Sequence, residues 1–159
     1  MPKPRIYLDT TIPSAYHTTR TDADSAERRA NTHRWWAVAQ YSCELLVSHA
    51  VLNELAGGRP EQAALRLALV RHLEELPSSR DILLTADLYV RHQLMPKNVE
   101  GDAMHLALAS HHECDVLATW NYLHLANPNK LDRIKRLNEE LGLFVPRILT
   151  PLALMEEIS

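Results

Sequence analysis

The chain has little glycine, little cysteine and no long apolar run. Its four glycines form neither GxGxxG nor GxxxxGK(S/T), which disfavours nucleotide cofactors bound by such loops. The two cysteines, Cys43 and Cys114, lie far apart, which disfavours a disulfide framework and favours a reducing compartment. Because no segment has the apolar length of a membrane span and the N-terminus has no signal-peptide pattern, we expect a cytoplasmic protein without membrane contact.

An excess of positive charge is also absent. The formal net charge is -3 at pH 7, which argues against a generic basic binder of nucleic acid but allows a local basic face. With 159 residues the chain can bury a core without a disulfide or a structural metal. We therefore expect one domain over residues 1–159.

Short apolar runs alternate with segments of helical pattern. Strands are predicted at "IYL", "ELLVS", "DVLAT" and "RILTP", because each run is short, apolar and bounded by turn residues. Helices are predicted between them, including one from Pro60 to about Glu75 and one from Thr85 to near Pro96, with a small apolar run before it at residues 82–84. This alternation predicts a parallel sheet sandwiched between helices.

A longer helix is predicted in the first third of the chain. Asp24 and Glu27 have the spacing of a capping box at its start. Its small and apolar positions recur at helical spacing, at Ala26, Ala30, Ala37 and Tyr41. For Trp35, Trp36 and Trp120 we expect burial in the core or an interface, with stacking on nucleic-acid bases as the alternative.

Three acidic residues occupy comparable places in this pattern. Asp9 ends the first strand and is followed by the hydroxyls of Thr10 and Thr11. Glu54 lies in the helix after the second strand, and Asp102 in the first turn of a later helix. Such positions can meet at one sheet edge, where carboxylates raise each other's pKa unless a divalent cation neutralises them. Mg²⁺ or Mn²⁺ suits such a site and supports phosphodiester hydrolysis, although Asp9 taken alone is more typical of a cap on the helix starting near Ile12.

Four segments of the chain, in order, resemble the PIN domain family, in particular the VapC-like ribonuclease toxins of toxin-antitoxin pairs. They are "IYLDTTIPS", "LLVSHAVLNELAGG", "GDAMHLALASHHECDVLATWNYLHLAN" and "RILTPLALM", and together they span nearly the whole chain. The resemblance implies a three-layer α/β/α sandwich with a central parallel sheet. It also implies a Mg²⁺-dependent endoribonuclease in which Mn²⁺ substitutes, with RNA as substrate, a cognate antitoxin as partner and a homodimer as the assembly.

The resemblance assigns residues to the site as well. The family's first three acidic positions fall on Asp9, Glu54 and Asp102, and an accompanying hydroxyl is expected from Thr10, Thr11 or Thr119. Many PIN domains carry a fourth acid after the strand that corresponds to "VLAT", where this chain has Asn121. Its amide can position a water or offer a carbonyl oxygen but brings no charge, so we expect one well-occupied metal ion in the absence of RNA.

Further residues are candidates for contact with RNA. Basic clusters in the early and late helices could hold the phosphate backbone, foremost Arg133 and Arg136, with Arg28 and its neighbours as others. His105 follows Asp102 by one helical turn and could face the same cleft, with packing at the rim as the alternative. Two other functions stay open: a PIN nuclease of RNA maturation without an antitoxin, and a catalytically weak PIN-like module that binds RNA or protein.

Overall fold

A five-stranded parallel sheet forms the centre of the computed structural model, which describes residues 2–96 and 99–158, without the side chains of residues 99 and 100. The strands, in chain order, are β1 (Arg5–Leu8), β2 (Glu44–Ser48), β3 (Glu74–Leu76), β4 (Val116–Ala118) and β5 (Arg147–Leu149). Their order across the sheet is β3-β2-β1-β4-β5. The chain first builds outward from β1 through β2 to β3, then crosses back to β4. The sheet therefore has a topological switch point between β1 and β4.

Helices cover both faces of this sheet. The described residues form α1 (Thr11–Tyr16), α2 (Ala23–Ser42), α3 (His49–Ala56), α4 (Pro60–Val70), α5 (Arg80–Arg91), α6 (Met104–His111), α7 (Pro128–Glu140) and α8 (Pro151–Ile158). Helix α2 packs against α1 and α8, while α5 packs against α6. The connection from β1 to β2 and the connection from β3 to β4 run in opposite directions across the sheet. Because such connections are right-handed, α1 and α2 lie on one face, and α5 and α6 lie on the other. The three-layer α/β/α fold predicted from the sequence is confirmed. Within the described ranges, no helix has both the length and the apolar character needed to cross a membrane.

The strands are buried along their length because helices lie on both sides of them. Tyr7 and Leu8 of β1 have no exposed surface, and Leu46 of β2 has none either. The burial expected for Trp35 and Trp36 is confirmed, since both belong to the same core. Parallel strands end at a common edge, so the carboxyl ends of β1, β2 and β4 bring the residues that follow them together.

Two predictions about the middle of the chain are wrong. The helix predicted to continue to Glu75 ends at Val70, and the strand β3 follows after a short turn. The apolar residues 82–84 belong to α5, which begins before them, because the Ser79 hydroxyl accepts a hydrogen bond from the Ile82 backbone N–H at 3.2 Å. A serine cap at Ser79 therefore moves the helix start from the predicted Thr85 to Arg80.

The predicted apolar face of α2 is also wrong. Tyr41 is 74% exposed and the three alanines on its stripe are exposed too. The buried face consists of Asn31, Thr32, Trp35, Trp36 and Ala39. The helix is capped by Asp22 rather than by Asp24, because Asp22 accepts a hydrogen bond from the Ser25 backbone N–H at 3.0 Å. Two tryptophans at adjacent positions set the buried face more strongly than small alanines do.

Candidate functional site

The strand register brings Asp9 beside Thr119. Leu8 of β1 pairs with Ala118 of β4. The residues that follow them, Asp9 and Thr119, therefore leave the sheet side by side at the switch point. There the Thr119 hydroxyl donates a hydrogen bond to Asp9 Oδ2 at 2.5 Å. In open parallel sheets this crevice is the usual place for a ligand, because the loops on either side of it separate in opposite directions.

Hydroxyl and amide groups surround the buried Asp9 carboxylate. The Thr11 backbone N–H and the Thr11 hydroxyl both donate to Asp9 Oδ1, at 2.9 and 2.5 Å. The Thr11 hydroxyl oxygen in turn accepts from the Trp120 backbone N–H at 2.8 Å. Burial raises the pKa of Asp9, and the charge of His105 and the hydroxyl contacts oppose that rise only in part. The site therefore holds a carboxylate whose charge is incompletely compensated.

Glu54 reaches the same region from α3. This helix begins directly at the end of β2, where the Ser48 hydroxyl accepts a hydrogen bond from the Val51 backbone N–H at 3.4 Å. Glu54 Oε2 accepts from the Thr10 hydroxyl at 2.9 Å, and Glu54 Oε1 accepts from His105 Nε2 at 2.8 Å. Partial burial works to raise the pKa of Glu54, but the hydrogen bond and charge of His105 and the hydrogen bond from Thr10 together lower that pKa.

His105 links the carboxylates to the core. It is 1% exposed, and its Nδ1 lies 2.8 Å from the Tyr7 hydroxyl, which lies 2.7 Å from the Ser48 hydroxyl. Burial works to lower the pKa of His105. The hydrogen bond to Glu54 and the negative charges of Asp9, Glu54 and Asp102 outweigh it and raise that pKa. The charges of all three acids therefore act on one imidazole, and Glu54 alone is hydrogen-bonded to it.

The two hydrogen bonds that link Ser48, Tyr7 and His105 can form in either protonation state of the imidazole. When His105 carries both protons, Nδ1–H donates to the Tyr7 oxygen and the Tyr7 hydroxyl donates to Ser48. When Nδ1 is bare, the Tyr7 hydroxyl donates to it and accepts from Ser48. In both cases Nε2–H remains free to donate to Glu54, so the ring holds that carboxylate in one orientation.

Asp102 and Asn121 form the third part of the site. Asp102 follows Gly101, where the π-helical turn Val99–Ala103 leaves helical geometry before α6 begins. The Asn121 side-chain amide donates to Asp102 Oδ2 at 2.9 Å. Its carbonyl oxygen accepts from the backbone N–H groups of Leu123, at 3.1 Å, and of His124, at 2.9 Å. Asn121 thus holds both a carboxylate and the loop that follows β4.

The acids are surrounded by hydrogen-bond donors rather than gathered into a finished metal cage. In the part of the chain that the structure describes, no three His, Cys, Asp or Glu side chains are placed closely enough to form one. Among the ion pairs of the described residues, none joins Asp9 or Asp102 to a lysine or arginine. The candidate ligands are hard carboxylate oxygens with one neighbouring imidazole, which suits Mg²⁺ or Mn²⁺ in its chemistry.

A cleft of about 740 Å³ opens beside these residues. Thr10, Thr11, Glu54 and Asn121 are among its lining residues. Its other lining residues include three arginines and two aromatic side chains, namely Arg20, Arg28, Arg66, Trp120 and Tyr122. Arg66 Nε is buried and has no hydrogen-bond partner among the described atoms. The cleft therefore combines one acid, Glu54, with three cations and two aromatic rings.

Two of the residues expected to contact RNA lie elsewhere. Arg133 and Arg136 of α7 line a separate cavity of about 250 Å³ with His92 and Glu140, and Arg133 donates to the His92 carbonyl oxygen at 3.3 Å. This cavity and the cleft have no lining residue in common. His105, the third, is buried with both ring nitrogens engaged, so its geometry suits support of Glu54 rather than direct contact with RNA.

The sequence does not reveal Tyr7, Arg20, Arg66 and Tyr122 as members of the site. A signal exists for Tyr7, because a tyrosine inside a fully buried strand needs a partner for its hydroxyl. Nothing in the sequence distinguishes Arg20, between α1 and α2, or Arg66, on α4, from the chain's other arginines. Their grouping depends on how α1, α2 and α4 pack, which only the structure gives.

We expect Tyr7→Phe to lower the free energy of unfolding by about 1–3 kcal/mol, because it leaves buried His105 Nδ1 without a partner and Ser48 Oγ with only the Val51 backbone N–H. Urea unfolding at neutral pH measures the change. Tyr41→Phe is the matched control, since Tyr41 is largely exposed. Equal unfolding midpoints for both variants and the wild type would show that the hydroxyl chain does not stabilise the site.

The comparisons with known proteins concern the fold. No protein-family model matches the chain, and no curated protein sequence matches it. The crystal structure of VapC20 from Mycobacterium tuberculosis, described as a sarcin-ricin loop cleaving toxin, superposes with a TM-score of 0.56 at 18% identity, over 75% of this chain and 92% of that one. The structure of VapBC2 from Rickettsia felis, bound to a DNA fragment from their promoter, gives a TM-score of 0.55 at 16% identity, over 91% and 96% of the two chains. At these identities the likeness establishes the PIN-type α/β fold.

Proposed function

We propose that the protein is a metal-dependent endoribonuclease that hydrolyses RNA phosphodiester bonds in the cleft beside Asp9, Glu54 and Asp102. The observation that carries this proposal is a cleft lined by Glu54, by Thr11, which contacts Asp9, by Asn121, which contacts Asp102, and by three arginines. Carboxylates that bind a divalent ion, next to cations that bind phosphates, are the groups that phosphodiester hydrolysis requires. The description of VapC20 as a loop-cleaving toxin supports RNA as the substrate.

Asp9, Glu54 and Asp102 would hold the metal ion, with Asn121 as a neutral auxiliary group. The uncompensated charge of the buried Asp9 supports this assignment, because a bound cation relieves the cost of keeping that carboxylate ionised. When bound, a divalent ion lowers the pKa of water and stabilises the negative charge that develops on a phosphate. The donors Thr10, Thr11 and Thr119 hold the carboxylate oxygens of Asp9 and Glu54 in fixed orientations.

The chain's other residues bind and orient the substrate. Arg20, Arg28 and Arg66 face the cleft, where their guanidinium groups can pair with successive phosphates of an RNA strand. His105 fixes the Glu54 carboxylate through Nε2 and is itself fixed by Tyr7. This arrangement keeps Glu54 at one place on the cleft wall while its other oxygen stays near Thr10.

An antitoxin protein is the partner that we propose for this nuclease. Support comes from the fold likeness to VapBC2, whose structure was determined with a promoter DNA fragment. A small open reading frame next to the gene should encode a protein that copurifies with this chain and suppresses its RNA cleavage. A nuclease of RNA maturation would lack such a neighbour, so coexpression of the two reading frames separates the candidates.

The decisive test is incubation of the purified chain, free of any partner, with total RNA in Mg²⁺, in Mn²⁺ and in EDTA. We expect new 5′ ends in either metal and none in EDTA, because the carboxylates alone supply no means of stabilising the phosphate charge. Mapping those ends also identifies the cleavage site. Binding of RNA without cleavage in any metal would favour the catalytically weak module, and cleavage that persists in EDTA would contradict the proposal.

The cleft arginines should govern the salt dependence of RNA binding. For Arg20→Ala with Arg66→Ala we expect weaker binding to all RNA sequences alike and a salt slope smaller by about 0.7 for each phosphate that is no longer neutralised. Arg133→Ala with Arg136→Ala is the matched comparison, since it removes the same charge from the separate cavity on α7. Fluorescence anisotropy across a salt series, in EDTA, gives both slopes. A smaller salt slope for the Arg133/Arg136 variant alone would place the RNA-binding surface on α7, as the sequence pattern predicts.

A further inference from the structure

Tyr122 presents an aromatic face to the cleft directly after Asn121. Its side chain is 49% exposed although it lies among lining residues that are largely polar. The guanidinium carbon of Arg28 lies 5.6 Å from the centre of the Tyr122 ring and 5.7 Å from that of the Trp120 ring. One cation thus bridges two aromatic rings at the cleft wall.

The ring is held in place from two sides. Trp120 is 4% exposed, and its indole N–H donates to the Thr32 hydroxyl at 2.9 Å, which anchors it in the core. The Tyr122 ring packs against Trp120 with centroids 6.5 Å apart. The side-chain carbonyl oxygen of Asn121 accepts hydrogen bonds from two backbone N–H groups of the same loop. An exposed aromatic ring on a fixed support loses little conformational freedom when another planar group binds to it.

We propose that Tyr122, with Arg28 and Trp120, forms a platform on which an unpaired base of the RNA substrate stacks. This inference rests on the proposed function and adds a subsite for one unpaired base at the cleft wall. Asn121, the residue before Tyr122, contacts Asp102, so the platform lies beside the proposed cleavage site. A base in a duplex already stacks on its neighbours and offers no free face, whereas a splayed base can stack on an aromatic side chain.

Binding of fluorescein-labelled twelve-nucleotide oligoadenylate and of a twelve-base-pair RNA duplex, in EDTA, tests the platform. For Tyr122→Ala we expect about tenfold weaker binding of the single strand and less than a twofold change for the duplex. Tyr122→Phe keeps the ring and should bind like the wild type. Tyr41→Ala is the matched control, because it removes another exposed tyrosine, from α2 outside the cleft.

A second readout reports stacking itself. Oligoadenylate that contains 2-aminopurine should lose fluorescence on binding the wild type and the Tyr122→Phe variant, but not on binding Tyr122→Ala. Unchanged single-strand affinity of Tyr122→Ala, or equal losses for single strand and duplex, would overturn the platform while leaving the nuclease proposal intact. If the wild type binds neither RNA, the proposed function fails together with the platform.

Discussion

Asp9→Asn should reduce metal-dependent RNA cleavage by at least about a hundredfold, since loss of groups that merely support metal ligands already costs about 10–100-fold. The substitution removes one negative charge from the centre of the site and nearly preserves the shape of the side chain. Its carbonyl oxygen can still accept from the Thr11 backbone N–H, and its amide can donate to the Thr119 hydroxyl oxygen. We therefore expect loss of activity without loss of the fold.

The same variant should be more stable than the wild type in EDTA at neutral pH. Burial raises the pKa of Asp9 in the folded state, so the folded chain holds this proton to a higher pH than the unfolded chain does. Stability of the wild type consequently falls as the pH rises from the unfolded pKa through the higher folded pKa. The amide does not ionise, so the melting temperatures of variant and wild type should converge at low pH and separate above that window.

Cleavage assays in Mg²⁺ and thermal melts in EDTA across a pH series measure the two effects. Glu54→Gln and Asp102→Asn should also lose cleavage, since each deletes one of the carboxylates that would hold the metal ion. Asp132→Asn on the exposed surface of α7 is the matched control and should behave as the wild type. Full activity in all three acid variants would remove the metal assignment.

The sequence predicts the sheet edge well because the signals there are local. A short apolar run that ends on Asp9 and two threonines indicates a buried strand that leaves the sheet, and the structure shows β1 ending at Leu8. Glu44–Ser48 is predicted at the bounds that the structure has, because Ser48 ends the strand and caps the next helix. The positions of Asp9 and Glu54 at one edge follow from those two strands being parallel neighbours.

Elements with weak local signals cannot be predicted in this way. Strand β3 has the sequence "EEL", of which only Leu76 is buried, so neither apolar content nor alternation indicates a strand. It exists as an edge strand because β2 offers an unpaired backbone, with Ser48 pairing with Leu76. The buried face of α2 escapes prediction for a related reason. Its alanines do not indicate which face is buried, and the polar residues Asn31 and Thr32 lie on the buried face.

The sequence indicates the acids of the candidate site but not their supports. Acidic residues stand out at strand ends, whereas Tyr7 resembles an ordinary core residue of β1 until its contact with His105 is known. The position of His105 is equally hard to predict. Its spacing of one helical turn from Asp102 allows a cleft residue or packing at the rim, and the structure buries it in α6. Contacts between residues about a hundred positions apart are set by packing, not by spacing.

Asn121→Asp should strengthen divalent-metal binding by at least about tenfold, because it adds a fourth carboxylate within hydrogen-bond reach of Asp102. Without metal the variant should melt at a lower temperature than the wild type. The Asn121 amide donates to Asp102 at 2.9 Å, and its replacement sets two like charges at that contact. Addition of Mn²⁺ should then raise the melting temperature of the variant more than that of the wild type, since ligand binding to the folded state adds to its stability.

Calorimetric titration of Mn²⁺ into both proteins at one pH separates affinity from stoichiometry. Gln40→Glu supplies the matched control, because it makes the same amide-to-carboxylate change at an exposed position of α2 and should leave metal affinity unchanged. The side-chain carbonyl oxygen of Asn121 also accepts hydrogen bonds from the Leu123 and His124 backbone N–H groups. A carboxylate can keep both contacts, so the loop should hold its shape.

The wild type should bind one metal ion without RNA. The variant should bind one ion more tightly or bind a second. Cleavage is the weaker readout, because an added charge can also repel the phosphate. Equal affinity and stoichiometry in all three proteins would mean that Asn121 holds Asp102 and the loop without facing the metal, and its assignment to the fourth acidic position would have to be abandoned.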